Sequence, residues 1–273
     1  MRIGVAATAP LGADLLERLT DDHEVAFLLT RPDRPRGRGR KVGGSPAKEA
    51  ARRLQIDVRQ PERLDESVDI GDVEAMVVAA YGALIPATLL DRTLWLNVHP
   101  SLLPRWRGAA PVERAIMAGD RETGVTIHRT IPELDAGPIA AQRAFSIEPD
   151  DDAGAVYAKA GVLAAELLAD VLRDTPEFRP QPDEGATYAE RLTAADRELD
   201  WNRPPAELQN VIRGLSPHIG ARGLVNGKLL TVWRARPAGA DSTLTADGLE
   251  LLEVQPEGRR RMSGAEYLRG LRG

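Results

Sequence analysis

A chain of 273 residues, 42% hydrophobic and 28% charged, carries enough apolar material for a substantial core, and its length suits one large domain followed by a small one. No apolar run approaches the roughly 20 residues that span a bilayer, and the opening MRIGVAATAPLG lacks the charged leader of a signal peptide. The formal net charge is −5, and the absence of cysteine excludes disulfides and thiolate zinc sites and agrees with a cytoplasmic location.

In chain order, apolar runs at residues 3–7, 25–30, 75–80 and 94–98 read as buried parallel strands. Between them GADLLERL, SPAKEAARRL and residues 86–90 carry helical spacing or helix starts, with Ser45 as N-cap and Pro46 in the first turn. APVERAIMAG predicts a short helix ended by glycine, residues 123–130 alternate as a strand, and residues 153–171 form a long alanine-rich amphipathic helix. Residues 174–186 concentrate proline and acid as linkers do. Beyond them a short helix gives way to strands, with Asn226-Gly227 as a hairpin turn. The expected fold is an open, mostly parallel α/β sheet of Rossmann-like type over residues 1–180, then a smaller β-rich domain over 187–273.

Charge is uneven along the chain. From Ala186 onward 13 basic residues face 11 acidic ones, a balance of +2, which leaves −7 on the first 185 residues. Residues 31–41 hold Arg31, Arg34, Arg36, Arg38, Arg40 and Lys41 against the single acid Asp33. Such a loop engages phosphates or is a solvated charged turn. Its Gly37, Gly39 and Gly43 do not follow the Gly-x-Gly-x-x-Gly spacing, so no dinucleotide cofactor is expected. Arg259, Arg260 and Arg261 read as exposed, and Trp201 and Trp233 as packing residues. His23, His99, His128 and His218 are scattered, and no metal site is expected.

The stretch LNVHPSLLPRWRGAA ends a strand with Asn97 and His99 two residues apart, hence on one face. In an open α/β sheet that is where ligands sit, beyond the strands' carboxyl ends. TGVTIHRTIPELDAG then delivers Asp135 before a glycine turn. An amide, an imidazole and a carboxylate suit acyl transfer to an amine: Asn97 stabilises an oxyanion, His99 donates to that oxygen or protonates the leaving nitrogen, and Asp135 takes the amine's proton or orients the imidazole. The plainer reading makes Asn97 and His99 a hydrogen-bonded structural pair and Asp135 an Asx-turn residue.

The run from Asn97 to Ile139, with TRPDRPRGRGRK, VVAAYGALIP, TYAERLTAADRELDW and LLEVQPEGRRRMSGAEYLRG in order around it, resembles the folate-dependent formyltransferases, and within them the branch that acts on tRNA. The resemblance covers nearly the whole chain. It implies Asn97, His99 and Asp135 as the catalytic triad and Ser101, Leu102, Leu103 and Pro104 along the folate site. It also implies 10-formyltetrahydrofolate as donor and the α-amino group of methionine on initiator tRNA as acceptor. Arg36, Arg38, Arg40 and Lys41 would contact the tRNA, and the C-terminal domain would be a shortened OB-like β-barrel, because the chain reaches Leu249 soon after Val232–Ala235. A cytoplasmic monomer with no metal is expected. Two alternatives stay open: a formyltransferase acting on another amine, such as a nucleotide-linked amino sugar, and a non-catalytic folate- or RNA-binding relative.

Overall fold

The computed structural model describes residues 1–36, 41–174 and 176–271. In chain order its elements are β1 (Arg2–Ala7), α1 (Pro10–Leu19), β2 (Glu24–Leu29), β3 (Arg34–Arg36), β4 (Lys41–Gly43), α2 (Pro46–Arg53), β5 (Asp57–Arg59), β6 (Ala75–Ala79), α3 (Ala87–Leu90), β7 (Leu94–His99), β8 (Arg107–Gly108), α4 (Pro111–Met117), β9 (Glu122–Arg129), β10 (Ile139–Ser146) and α5 (Ala153–Arg173). There follow β11 (Tyr188–Ala189), a short 3-10 turn at Ala195–Arg197, α6 (Pro205–Gly214), β12 (Ala221–Val225), β13 (Lys228–Pro237), β14 (Thr245–Ala246), β15 (Leu249–Pro256), β16 (Met262–Ser263) and α7 (Gly264–Leu271). By packing, the chain divides into one unit of Met1–Ala109, Gly124–Ala144 and Ala158–Tyr188 and another of Ala110–Thr123, Phe145–Tyr157 and Ala189–Gly273.

The first unit is built on a seven-stranded sheet in the order β10-β9-β7-β6-β1-β2-β5. Strands β5, β2, β1, β6 and β7 run parallel and β9 is antiparallel to β7. The central strand β6, AMVVA, is buried at every position, which is why it reads as a continuous apolar run rather than an alternating one. Helix α2 starts as its sequence predicts: the Ser45 hydroxyl accepts from the Lys48 amide at 3.0 Å, and Pro46 fills the first turn. One side of the sheet buries Phe27, Leu29, Met76, Tyr81, Leu89 and Trp95 as a cluster, and the Trp95 indole N–H donates to the Leu89 carbonyl at 2.9 Å, satisfying its one polar atom.

The second unit holds a small antiparallel sheet, β12-β13-β15-β14 with β16 on β15, where the resemblance implies a shortened OB-like β-barrel. Asn226 and Gly227 both take positive φ in the β12–β13 turn, the backbone that a two-residue hairpin of this kind requires. Helices α6 and α7 close its core around Leu208, Ile212, Leu230, Val232, Leu249, Leu251 and Tyr267. Among the described residues no helix is long and apolar enough to cross a membrane.

The segment that composition marks as a linker is not free in the described residues. Arg179 and Ile139 exchange backbone hydrogen bonds at 2.7 and 2.9 Å, and the Arg107 amide donates to the Thr187 carbonyl at 2.9 Å, so residues 176–188 lie as a strap on the first unit. Proline content argues only that no helix continues there; an extended strap satisfies the same constraint.

Candidate active site

Asn97 and His99 leave β7 on one face, as the two-residue period requires. Their strand lies between β6 and β9, so the site stands at the carboxyl end of an interior strand. Asp135 arrives from the loop after β9 with φ of +48°, the left-handed region that an aspartate tolerates better than most residues. Two residues on, a Cβ at Gly137 would stand 1.7 Å from the Arg129 carbonyl oxygen, so only glycine lets this loop fold back onto β9.

The three groups predicted from sequence meet. Asn97 Nδ2 donates to Asp135 Oδ1 at 3.1 Å, and His99 Nδ1 lies 3.6 Å from Asp135 Oδ2. The Gly108 amide donates to Asp135 Oδ2 at 2.8 Å. His99 Nε2 stands 2.8 Å from the Trp106 carbonyl, which can only accept, so Nε2 carries the proton and the neutral ring turns its bare Nδ1 toward the carboxylate. Trp106 itself takes φ of +64°, in the left-handed region.

Burial pushes His99 below its ordinary value of 6.5, and Asp135 pulls it only partly back. Burial also pushes the Asp135 carboxyl up, yet the neighbouring His128 and His99 and the hydrogen bond from the Gly108 amide outweigh it and hold the group below the usual carboxylate range. The resting pair at neutral pH is therefore a neutral imidazole facing an ionised carboxylate.

Sequence reasoning missed three residues here. His128, 2% exposed, accepts from Asn97 Nδ2 at 3.0 Å on its Nε2 and sits 3.6 Å from Asp135 Oδ1. The alternation in ETGVTIHR puts Thr126 and His128 on one face, a signal that points to His128 once β9 is paired with β7. Gln181, on the strap, donates to the carbonyls of Asp135 and Gly137 at 2.8 and 2.7 Å, and its own carbonyl accepts from Arg107 Nε and Nη2 at 3.0 and 2.7 Å. Nothing local in the sequence marks Gln181 or the buried Arg107.

The SLLP segment lies beside the triad and is held from below. Ser101 and Leu103 are buried: the Ser101 hydroxyl donates to the Arg105 carbonyl, Thr126 Oγ1 donates to the Ser101 carbonyl, and the Leu103 amide donates to Thr126 Oγ1. Gln142 donates to the Leu103 carbonyl, and the Leu103–Pro104 peptide is cis. Leu102 and Pro104 are half-buried, so these two, rather than Ser101 and Leu103, have surface to give a ligand.

Of the basic loop, Arg38 and Arg40 lie outside the described residues. Arg36 and Lys41 are paired across the β3–β4 hairpin. Its base is anchored by Lys48, whose Nζ donates to Asp33 at 2.6 Å and to Gln60 at 2.5 Å, while Gln60 donates to Asp33 and to the Arg31 carbonyl.

Residues 1–172 match the family model described as formyl transferase, and residues 191–248 match that of the formyl transferase C-terminal domain. The chain belongs to the formyl transferase family. It is 39% identical to the methionyl-tRNA formyltransferase of Paracoccus denitrificans over 99% of this chain and 98% of that one. In fold it is similar to the methionyl-tRNA formyltransferase from Clostridium thermocellum (TM-score 0.67, 15% identity, 97% of this chain and 100% of that one). HypX from Aquifex aeolicus, solved with tetrahydrofolic acid, is also similar (TM-score 0.67, 19% identity, 98% of this chain and 46% of that one).

Proposed function

We propose that this chain moves a formyl group from 10-formyltetrahydrofolate to the α-amino group of methionine esterified to initiator tRNA. The meeting of Asn97, His99 and Asp135 at the end of β7 carries the reading for the chemistry, and the relatives named methionyl-tRNA formyltransferase, at 37 to 39% identity, carry it for the acceptor.

In this mechanism the acceptor nitrogen bonds to the formyl carbon and the bond from that carbon to the donor nitrogen breaks. The amine proton passes to His99 Nδ1, the bare nitrogen, and Asp135 stabilises the imidazolium that results. The leaving nitrogen then recovers a proton from the same ring. An Asn97 N–H stabilises the negative oxygen formed between these steps. Leu102 and Pro104 give the folate apolar contact, while the buried Ser101 and Leu103 fix the shape of that wall. Arg36, Arg38, Arg40 and Lys41 meet tRNA phosphates, with residues 1–180 as catalytic domain and 187–273 as tRNA-binding domain. The chain acts as a monomer in the cytoplasm.

The deciding assay follows formyl transfer from 10-formyltetrahydrofolate to methionyl initiator tRNA, beside an amino-sugar nucleotide and a control without acceptor. Transfer to the tRNA alone is expected. Transfer only to the sugar would replace the acceptor, and none to either would leave a binding protein.

A further inference from the structure

His128 is a buried imidazole that the mechanism above does not use. Strand pairing sets it directly opposite Asn97, the closest cross-strand relationship a sheet offers. Its Nδ1 lies 3.0 Å from the Arg129 carbonyl, an atom that can only accept, so Nδ1 carries the ring's proton and Nε2 is left as an acceptor. Asn97 Nδ2, at 3.0 Å, answers it. The other oxygen-facing contact of the same amide nitrogen is Asp135 Oδ1 at 3.1 Å.

Two acceptors thus stand on the nitrogen side of the Asn97 amide, and both would repel its carbonyl oxygen. The carboxylate alone is an insecure guide to this orientation, because during the reaction it must answer the imidazolium that forms on His99. His128 does not have that difficulty: it is 2% exposed and its proton is committed to the backbone.

We propose that His128 is a positioning residue for Asn97, holding the amide nitrogen toward the reaction centre while Asp135 is drawn from Asn97 to the imidazolium formed on His99. One N–H stays on His128 Nε2, which fixes the direction of the other, and the forming oxyanion takes over that second N–H from Asp135 Oδ1. This deepens the formyl-transfer reading and rests on it. Backbone pins of this kind are the usual way a neutral imidazole is fixed in one tautomer.

The test is a double-mutant cycle. His128→Phe keeps a planar buried ring and removes the acceptor, and His128→Gln places an amide oxygen near the position of Nε2. His128→Phe is expected to lower kcat about tenfold with KM for donor and acceptor within about twofold, since the lost interaction acts on the transition state. His128→Gln restores most of that loss. In an Asn97→Ala background His128→Phe costs nothing further, because residues acting as a unit are not additive. A full additional loss in that background, or a kcat unchanged in His128→Phe, would overturn the proposal. A second readout is independent of turnover: the Asn97 side-chain amide protons, followed by NMR in the whole protein, exchange slowly in wild type and fast in His128→Phe. Equal exchange in the two overturns the proposal even where the wild type shows no formyl transfer, and that absence overturns the proposed function separately.

Discussion

At the scale of single residues the site works through commitment of protons. The Trp106 carbonyl takes the Nε2 proton of His99, and the Arg129 carbonyl takes the Nδ1 proton of His128, so each ring presents one defined lone pair to Asn97 or Asp135. His99 is lowered by burial and partly restored by Asp135, which gives a signed expectation. In Asp135→Asn the restoring charge is gone, and the His99 titration, read by NMR, moves further down from its wild-type position; an upward move would contradict the arrangement. The same sign governs stability. A histidine whose folded value lies below 6.5 favours the fold above that pH, and the contribution is lost as pH falls through the folded value. For activity, Asn97→Ala and His99→Ala are each expected to lower kcat by about a hundredfold or more in a protein that still folds.

At the scale of elements the strap of residues 176–188 is what makes the loops precise. Asp135 and Trp106 both sit at positive φ, and strained loops hold their geometry only when surrounding contacts determine it. Gln181 supplies such contacts, joining the carbonyls of Asp135 and Gly137 to the Arg107 guanidinium, while Thr187 accepts from the Trp106 amide at 2.9 Å. Gln181→Ala removes the partner that the described residues give two carbonyls and the buried Arg107 guanidinium. A stability loss of about 1 to 3 kcal/mol is expected, with kcat falling more than either KM. Denaturant unfolding and steady-state kinetics on one preparation check both. Loss of stability with kcat intact would make the strap a purely structural tie.

At the scale of the whole molecule, charge and ion pairing set how the protein responds to solution conditions. In the second unit Arg114 holds Asp196 in a two-pronged pair at 2.6 and 3.2 Å, and the Arg114 hydrogen bond, helped by Thr193, brings the carboxyl from 3.8 down to about 2. Because the folded value is depressed, this stabilisation is complete above 3.8 and is lost as pH falls through about 2. Asp196→Asn should therefore lower the unfolding midpoint at neutral pH and converge with wild type in strong acid. The first 185 residues carry −7 in spite of the basic loop, so attraction to the proposed tRNA acceptor has to be local rather than global. Raising salt from 50 to 200 mM, a typical range for such tests, should raise KM for tRNA steeply and leave KM for the folate nearly constant.

Much of this was open to reading in the chain itself. Residues 3–7, 75–80 and 94–98 declare buried strands because a parallel strand covered on both faces needs an unbroken apolar run, and Ser45-Pro46 declares a helix start because capping is a contact three residues long. Asn97 and His99 are visible as polar groups two apart at a strand end, and Asp135 before a glycine turn, while the resemblance of the surrounding run is what singles out the three together. Their assembly, the register that sets His128 against Asn97, and the return of Gln181 to the Asp135 loop were decided only by tertiary structure. Periodicity and capping act over a few residues and so are written locally, whereas register and loop closure are set by packing among segments up to about a hundred residues apart, for which no single stretch carries a signal.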